Sequence, residues 1–157
     1  MLFLTFKILH VLSVVLFLGN IITGMFWKFH ADRIGDPRAR WQALDGIIGS
    51  DRLFTTPNVF VIVITGIVAA VAAGLPILGT PWILWSIVLF GISGGAFAFV
   101  APLQKKLRAV AEAGINGNFN ADEYQRLSRQ WGIWGAIATL APVGAVVLMV
   151  GKHALTT

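Results

Sequence analysis

The sequence predicts an all-α integral membrane protein: a four-transmembrane-helix bundle, N-out and C-out, with a short amphipathic cytoplasmic helix between spans one and two. Three observations predict it. Hydrophobic residues make up 57% of the 157 and charged residues 12%, where a soluble domain carries about 25% charged residues, so the chain lacks the polar surface to cover a globule. Four apolar runs, 2–26, 57–75, 82–101 and 131–150, approach the roughly 20 helical residues that cross a hydrocarbon core. The connections differ in charge. Lys28, Arg33, Arg38, Arg40 and Arg52 fall in the first and Lys105, Lys106, Arg108, Arg126 and Arg129 in the third, while GLPILGTP, the second, has none. Cationic loops stay in the cytoplasm, which places both termini outside. The whole chain, 1–157, reads as a single membrane domain.

Span one is expected to stay in the membrane. It has no basic start, its apolar run exceeds the roughly 7–15 residues of a signal core, and no small-x-small cleavage site follows. After it, Asp36-Pro37 predicts a capped helix start, and Trp41, Leu44, Ile47 and Ile48 recur at helical spacing. That pattern predicts an amphipathic helix lying on the cytoplasmic face. Thr56-Pro57 and Thr80-Pro81 each place a hydroxyl cap before a first-turn proline, opening spans two and three. Leu103, Leu107 and Val110 extend span three as an amphipathic stub, and GINGN breaks it. Asn120 with Glu123 resembles a capping box opening the last helix. Trp27, Trp82, Trp85, Trp131 and Trp134 fall near span ends, as in an interfacial belt.

Absences narrow the chemistry. There is no cysteine, which excludes disulfides, Fe–S clusters and thiol nucleophiles. The net charge of +5 resides in loops, a pattern of membrane topology, not of nucleic-acid binding. No span contains Asp or Glu, leaving no material for a carboxylate relay. Neither a Ser–His–Asp pattern nor a P-loop, HExxH or GxGxxG is present. Copper held by Met25, Met149 and a histidine has little support, since the two methionines lie at unrelated depths.

One polar feature stands out. Measured at about 100° per residue from His10, the positions Ser13, Phe17, Asn20 and Gly24 share an arc of roughly 80°. That face must look into the bundle, because unpaired polar groups in lipid are costly. Thr65, Ser86, Ser93 and Thr139 read as helix-packing groups, and Gly91/Gly95 as a GxxxG pair. His10 has two readings. It bonds a serine or a backbone carbonyl of a neighbouring helix, or it is an axial ligand to haem iron. No second histidine stands seven or fourteen residues along the same helix, so at most one haem follows. Lys7 lies one turn further out, and Lys152 and His153 end the last span on the same side. The lysines would meet haem propionates. His153 would supply a sixth ligand only if its helix end bent inward, and is otherwise a solvated terminal residue. His30 reads as interfacial.

The stretches FKILHVLSVVLFLGNIITGMFWKFHADRIGDP, SDRLFTTPNVFVIVITG and LGTPWILW resemble a bacterial family of predicted integral membrane proteins, the domain-of-unknown-function 2269 group. A weaker similarity, carried by Lys7-x-x-His10-Val11, by Arg52-Leu53-Phe54 before Pro57, and by Lys152, is to the haem-binding membrane protoporphyrinogen IX oxidases. That resemblance implies haem b on His10, with Arg52 and Lys152 as functional polar residues. The chain departs from those oxidases where they carry His and Lys at the start of span three (here Trp82, Leu84 and Trp85) and Asn-Glu-x-Pro at span four (here QWGIWG), so their activity does not come with the resemblance. The expectation is a haem b protein of the bacterial inner (cytoplasmic) membrane with a redox or electron-transfer role, a possible membrane oxidoreductase, surrounded by lipid, binding no nucleic acid, and either a homo-oligomer or one subunit of a membrane complex. The alternative is a non-catalytic membrane subunit or assembly factor. A transporter ranks third, because no intramembrane acid or inverted repeat accompanies the four spans.

Overall fold

The computed structural model describes residues 1–151. It contains five α-helices, α1 (Leu2–Ile34), α2 (Pro37–Ser50), α3 (Thr56–Ala72), α4 (Pro81–Ile115) and α5 (Ala121–Val150), and no strand among the described residues. Four helical runs are long and apolar enough to cross a membrane: Leu2–Ile34, Pro37–Ala72, Pro81–Ile115 and Ala121–Val150. The up-and-down path leaves one end of the bundle with the start of α1, the end of α5 and the uncharged 73–80 connection. The opposite end carries the arginines and lysines and is called the basic end below.

Helix α1 outruns its expected span by two turns, because nothing in WKFHADRI breaks a helix. Gly35 ends it at φ +79°, its N–H returning to the Ala31 carbonyl, a left-handed position that glycine takes without strain. Asp36 then caps α2, accepting from the Arg38 N–H at 3.1 Å. Asn120 caps α5, accepting from the Glu123 N–H at 3.0 Å. Thr80 precedes α4 in an extended conformation and caps it through its carbonyl alone, which accepts from Ile83 and Leu84 at 3.0 Å.

Two expectations are corrected. No new helix starts at Thr56-Pro57. The chain runs from α2 into α3 through a π-helical turn, Asp51–Thr55, closed by the Thr56 N–H on the Asp51 carbonyl. The bonded hydroxyl is that of Thr55, which donates to Asp51 Oδ1 at 2.7 Å. Pro57 directly follows this turn, and a local π-helical adjustment is how a continuous helix accommodates the proline's missing N–H. Nor does α2 rest its apolar stripe on the membrane surface. Leu44, Ile47 and Ile48 are buried, and α2 packs on α4 and α1.

The main core therefore lies at the basic end: Leu44, Val100, Leu107, Ala111, Tyr124, Leu127 and Trp131. Trp131 belongs to this core instead of the belt, whereas Trp27 and Trp85 remain more than half exposed. Within the membrane, α1 pairs with α3 and α4 with α5, and the two pairs meet through α1 and α5 and through the rings of Phe17 on α1 and Phe90 on α4, 5.7 Å apart. Ser93 fastens the second pair, its hydroxyl donating to the Ala138 carbonyl at 2.6 Å. A Cβ added at Gly91 or Gly95 would meet nothing within 4 Å, so the GxxxG pair serves no close approach inside this chain.

Candidate functional site

His10 lies on the inner face of α1, above buried Ser13 and Phe17. Its Nδ1 sits 2.9 Å from the Ile62 carbonyl oxygen and 3.3 Å from Thr65 Oγ1 on α3. A carbonyl can only accept, so Nδ1 carries the proton and Nε2 keeps its lone pair. Nε2 has no hydrogen-bond partner among the described residues. Gly66 makes the approach possible: a Cβ there would lie 3.0 Å from the ring's Cε1 and 3.2 Å from Nδ1. The ring is thus held by one nitrogen, on a backbone oxygen of a rigid helix, with the other nitrogen a free donor atom. Metal-binding histidines are oriented in this way by their second nitrogen.

The other residues singled out in the sequence are dispersed. Lys7 is exposed one turn from His10, its Nζ 5.7 Å from the Phe3 ring centroid. Lys152 and His153 lie outside the described residues. Arg52 is exposed at the basic end. Its neighbour Asp51 bonds Asn20, ten positions or about 15 Å along α1 from His10, so Arg52 does not join the histidine. His30 is exposed and stacks on Phe26 at 6.1 Å. Among the described residues no three His, Cys, Asp or Glu side chains group to hold a metal ion, so an iron at His10 would take its remaining ligands from a porphyrin.

Two polar centres at the basic end were hidden in the sequence. In the first, Lys28 is 1% exposed. Its Nζ bonds Asp32 Oδ2 at 2.6 Å and the Ser128 hydroxyl, and lies 5.2 Å from the Trp131 ring and 5.5 Å from the Tyr124 ring. Tyr124 donates to Asp32 Oδ1 at 2.7 Å, and Arg40 Nε approaches that oxygen at 3.7 Å. In the second, buried Asp51 accepts from Asn20 at 3.1 Å, Thr55 at 2.7 Å and Gln104 at 3.0 Å. No cation pairs with it among the described residues. The i, i+4 pairs Lys28/Asp32 and Asp51/Thr55 are the local signal for both centres. The partners on α4 and α5 leave no such trace.

A family model described as predicted integral membrane protein (DUF2269) matches residues 4–153, and the chain belongs to that family. No curated protein and no solved structure matches the chain. It is accordingly an integral, multi-pass membrane protein.

Proposed function

We propose that this chain is a haem b protein of the bacterial cytoplasmic membrane, with a redox or electron-transfer role, in which His10 Nε2 ligates the iron. The observation that carries this reading is the Nδ1 bond to the Ile62 carbonyl at 2.9 Å. It selects the tautomer a haem ligand needs and leaves Nε2 unpaired in the apolar part of the bundle. An acceptor held away from water gains by a partner, so the arrangement favours a ligand at that atom. When bound, haem supplies a one-electron couple. The protein's part is orientation. Ile62 fixes the ring's tautomer, Gly66 admits its edge, and Lys7 offers a cation one turn outward for a propionate.

The test is the optical spectrum of the protein purified in mild detergent and supplied with haemin. A Soret band at one haem per chain that His10→Ala abolishes supports the reading, with helical circular dichroism retained as the fold control. A colourless protein, or a band indifferent to His10→Ala, overturns it.

A second reading, a non-catalytic subunit or assembly factor of a larger membrane complex, is favoured by α1. Only 11% of its most apolar stretch is buried, against 28% in α4 and α5, so it offers the broadest uncovered face to lipid or to another protein. Stoichiometric co-purification of a colourless chain with a larger assembly is its signature.

A further inference from the structure

One cavity lies far from His10. A cleft of about 620 Å³ opens between α1 and α2 at the basic end, within the roughly 300–1,000 Å³ typical of small-molecule sites. Small residues keep it open, Ala31 on one wall and Ala43 and Gly46 on the other. Its lining includes no Asp, Glu, Lys or Arg. A phosphate or carboxylate headgroup would find no counter-charge there, and neither would a cation. What the lining offers is hydrogen bonding: the indole N–H of Trp27, the amide of Gln42 and the imidazole of His30. None of the three has a hydrogen-bond partner among the described residues. On the α1 wall, Trp27 and His30 also present flat rings in edge contact at 5.9 Å.

Position narrows the ligand further. The cleft begins at Asn20, inside span one, and reaches Ile34, beyond it. Ile22 and Phe26 beside it are 51% and 61% exposed, which is a lipid-facing setting in a membrane helix. A matching ligand is uncharged, dissolved in the bilayer, flat, and equipped with hydrogen-bond acceptors at its polar end. We propose that this cleft binds the ring of a membrane quinone. Its carbonyl oxygens accept from Trp27 and Gln42, its ring lies against Trp27 and His30, and its apolar tail leaves into lipid past Ile22 and Phe26. The site is independent of haem at His10, because His10 and His30 are twenty positions, about 30 Å, apart along one helix.

The structure supplies a clean obstruction. Gly46 lines the cleft and a Cβ added there meets nothing within 4 Å, so Gly46→Leu places its side chain in the space the ring would take. The experiment titrates the whole chain, in phosphatidylcholine nanodiscs, with a decyl-substituted benzoquinone and follows tryptophan fluorescence. Saturable quenching is expected, its saturable part lost in Trp27→Phe, affinity reduced severalfold in Gln42→Leu, and binding abolished in Gly46→Leu at a melting temperature no lower than that of the unsubstituted protein. Quenching that never saturates overturns the proposal, as does saturation indifferent to Gly46→Leu or Trp27→Phe. Displacement of the quinone by near-stoichiometric phosphatidylglycerol overturns it too, and assigns the cleft to a phospholipid. The proteins are compared at the same haem content, so a change in affinity is separate from haem at His10.

Discussion

A single carboxylate, Asp32, balances most of the charge buried at the basic end. It takes bonds from Lys28 at 2.6 Å and Tyr124 at 2.7 Å, joining α1 to α5, while Arg40 brings in α2. Removing one partner of a buried pair leaves the other charge uncompensated, which costs about 3–5 kcal/mol. Asp32→Ala is therefore expected to be the most destabilising substitution at this centre, and thermal unfolding in detergent measures it. Tyr124→Phe, which removes one hydrogen bond to a charged group, is expected to cost about 1.5–3 kcal/mol. Equal losses from the two would mean that the carboxylate is not the hub. Gly66 makes a second residue-scale case. Replacing a mid-helix glycine with alanine ordinarily stabilises by about 0.5–1 kcal/mol. Here the added Cβ lies 3.0 Å from the His10 ring, so Gly66→Ala is expected to lower the melting temperature and displace the imidazole from Ile62. A rise in melting temperature would show that the ring yields at no cost.

At the scale of elements, the π-helical turn is the part that sequence patterns concealed most completely. Thr56-Pro57 has every mark of a helix start, and the amphipathic α2 stripe every mark of a surface helix. Both signals are local. What decided the outcome was non-local: Gln104 and Asn20 supply the donors that draw Asp51 inward, and α4 buries Leu44 and Ile48. The four spans, the Asp36 cap and the Asn120 cap were legible because hydropathy and capping act within a few residues. Of the candidate site, His10's inward face could be read from its angular neighbours Ser13 and Asn20. Its partner could not, since Ile62 offers a backbone oxygen that any residue would provide. The turn yields its own prediction. Asp51→Ala leaves the buried Thr55 and Gln104 donors without this acceptor, at about 1–3 kcal/mol each, and Asn20 with Thr55 Oγ1 alone, whereas Asp51→Asn keeps one acceptor oxygen. Hydrogen exchange over residues 51–58 is expected to accelerate strongly in Asp51→Ala and weakly in Asp51→Asn. Uniform acceleration along the whole of α3 would instead mean that the carboxylate supports the helix pair, not the turn.

For the whole molecule, the membrane portion is two helix pairs joined at one end. The α2 helix, the α4 extension and both polar centres gather at the basic end, while the other end relies on the packing of α1 with α3 and α4 with α5. This division makes orientation the governing question, because it decides which compartment meets the α1–α2 cleft and which meets His10. Charge answers it. The 73–80 connection carries no ionisable residue, and the connections at the basic end hold ten lysines and arginines. Burial of Lys28 against Asp32 takes one cation out of that comparison without altering its direction. Translocating so many cations is disfavoured, so the basic end is expected in the cytoplasm, with His10 near the outer face. The chain has no cysteine, so single reporters can be placed cleanly at exposed Leu78 and exposed Lys105. In intact spheroplasts a membrane-impermeant maleimide is expected to label Leu78→Cys and to spare Lys105→Cys until the membrane is permeabilised. The reverse pattern would place the cleft outside and His10 on the cytoplasmic side. Labelling of both reporters from one face would contradict the four-span path itself.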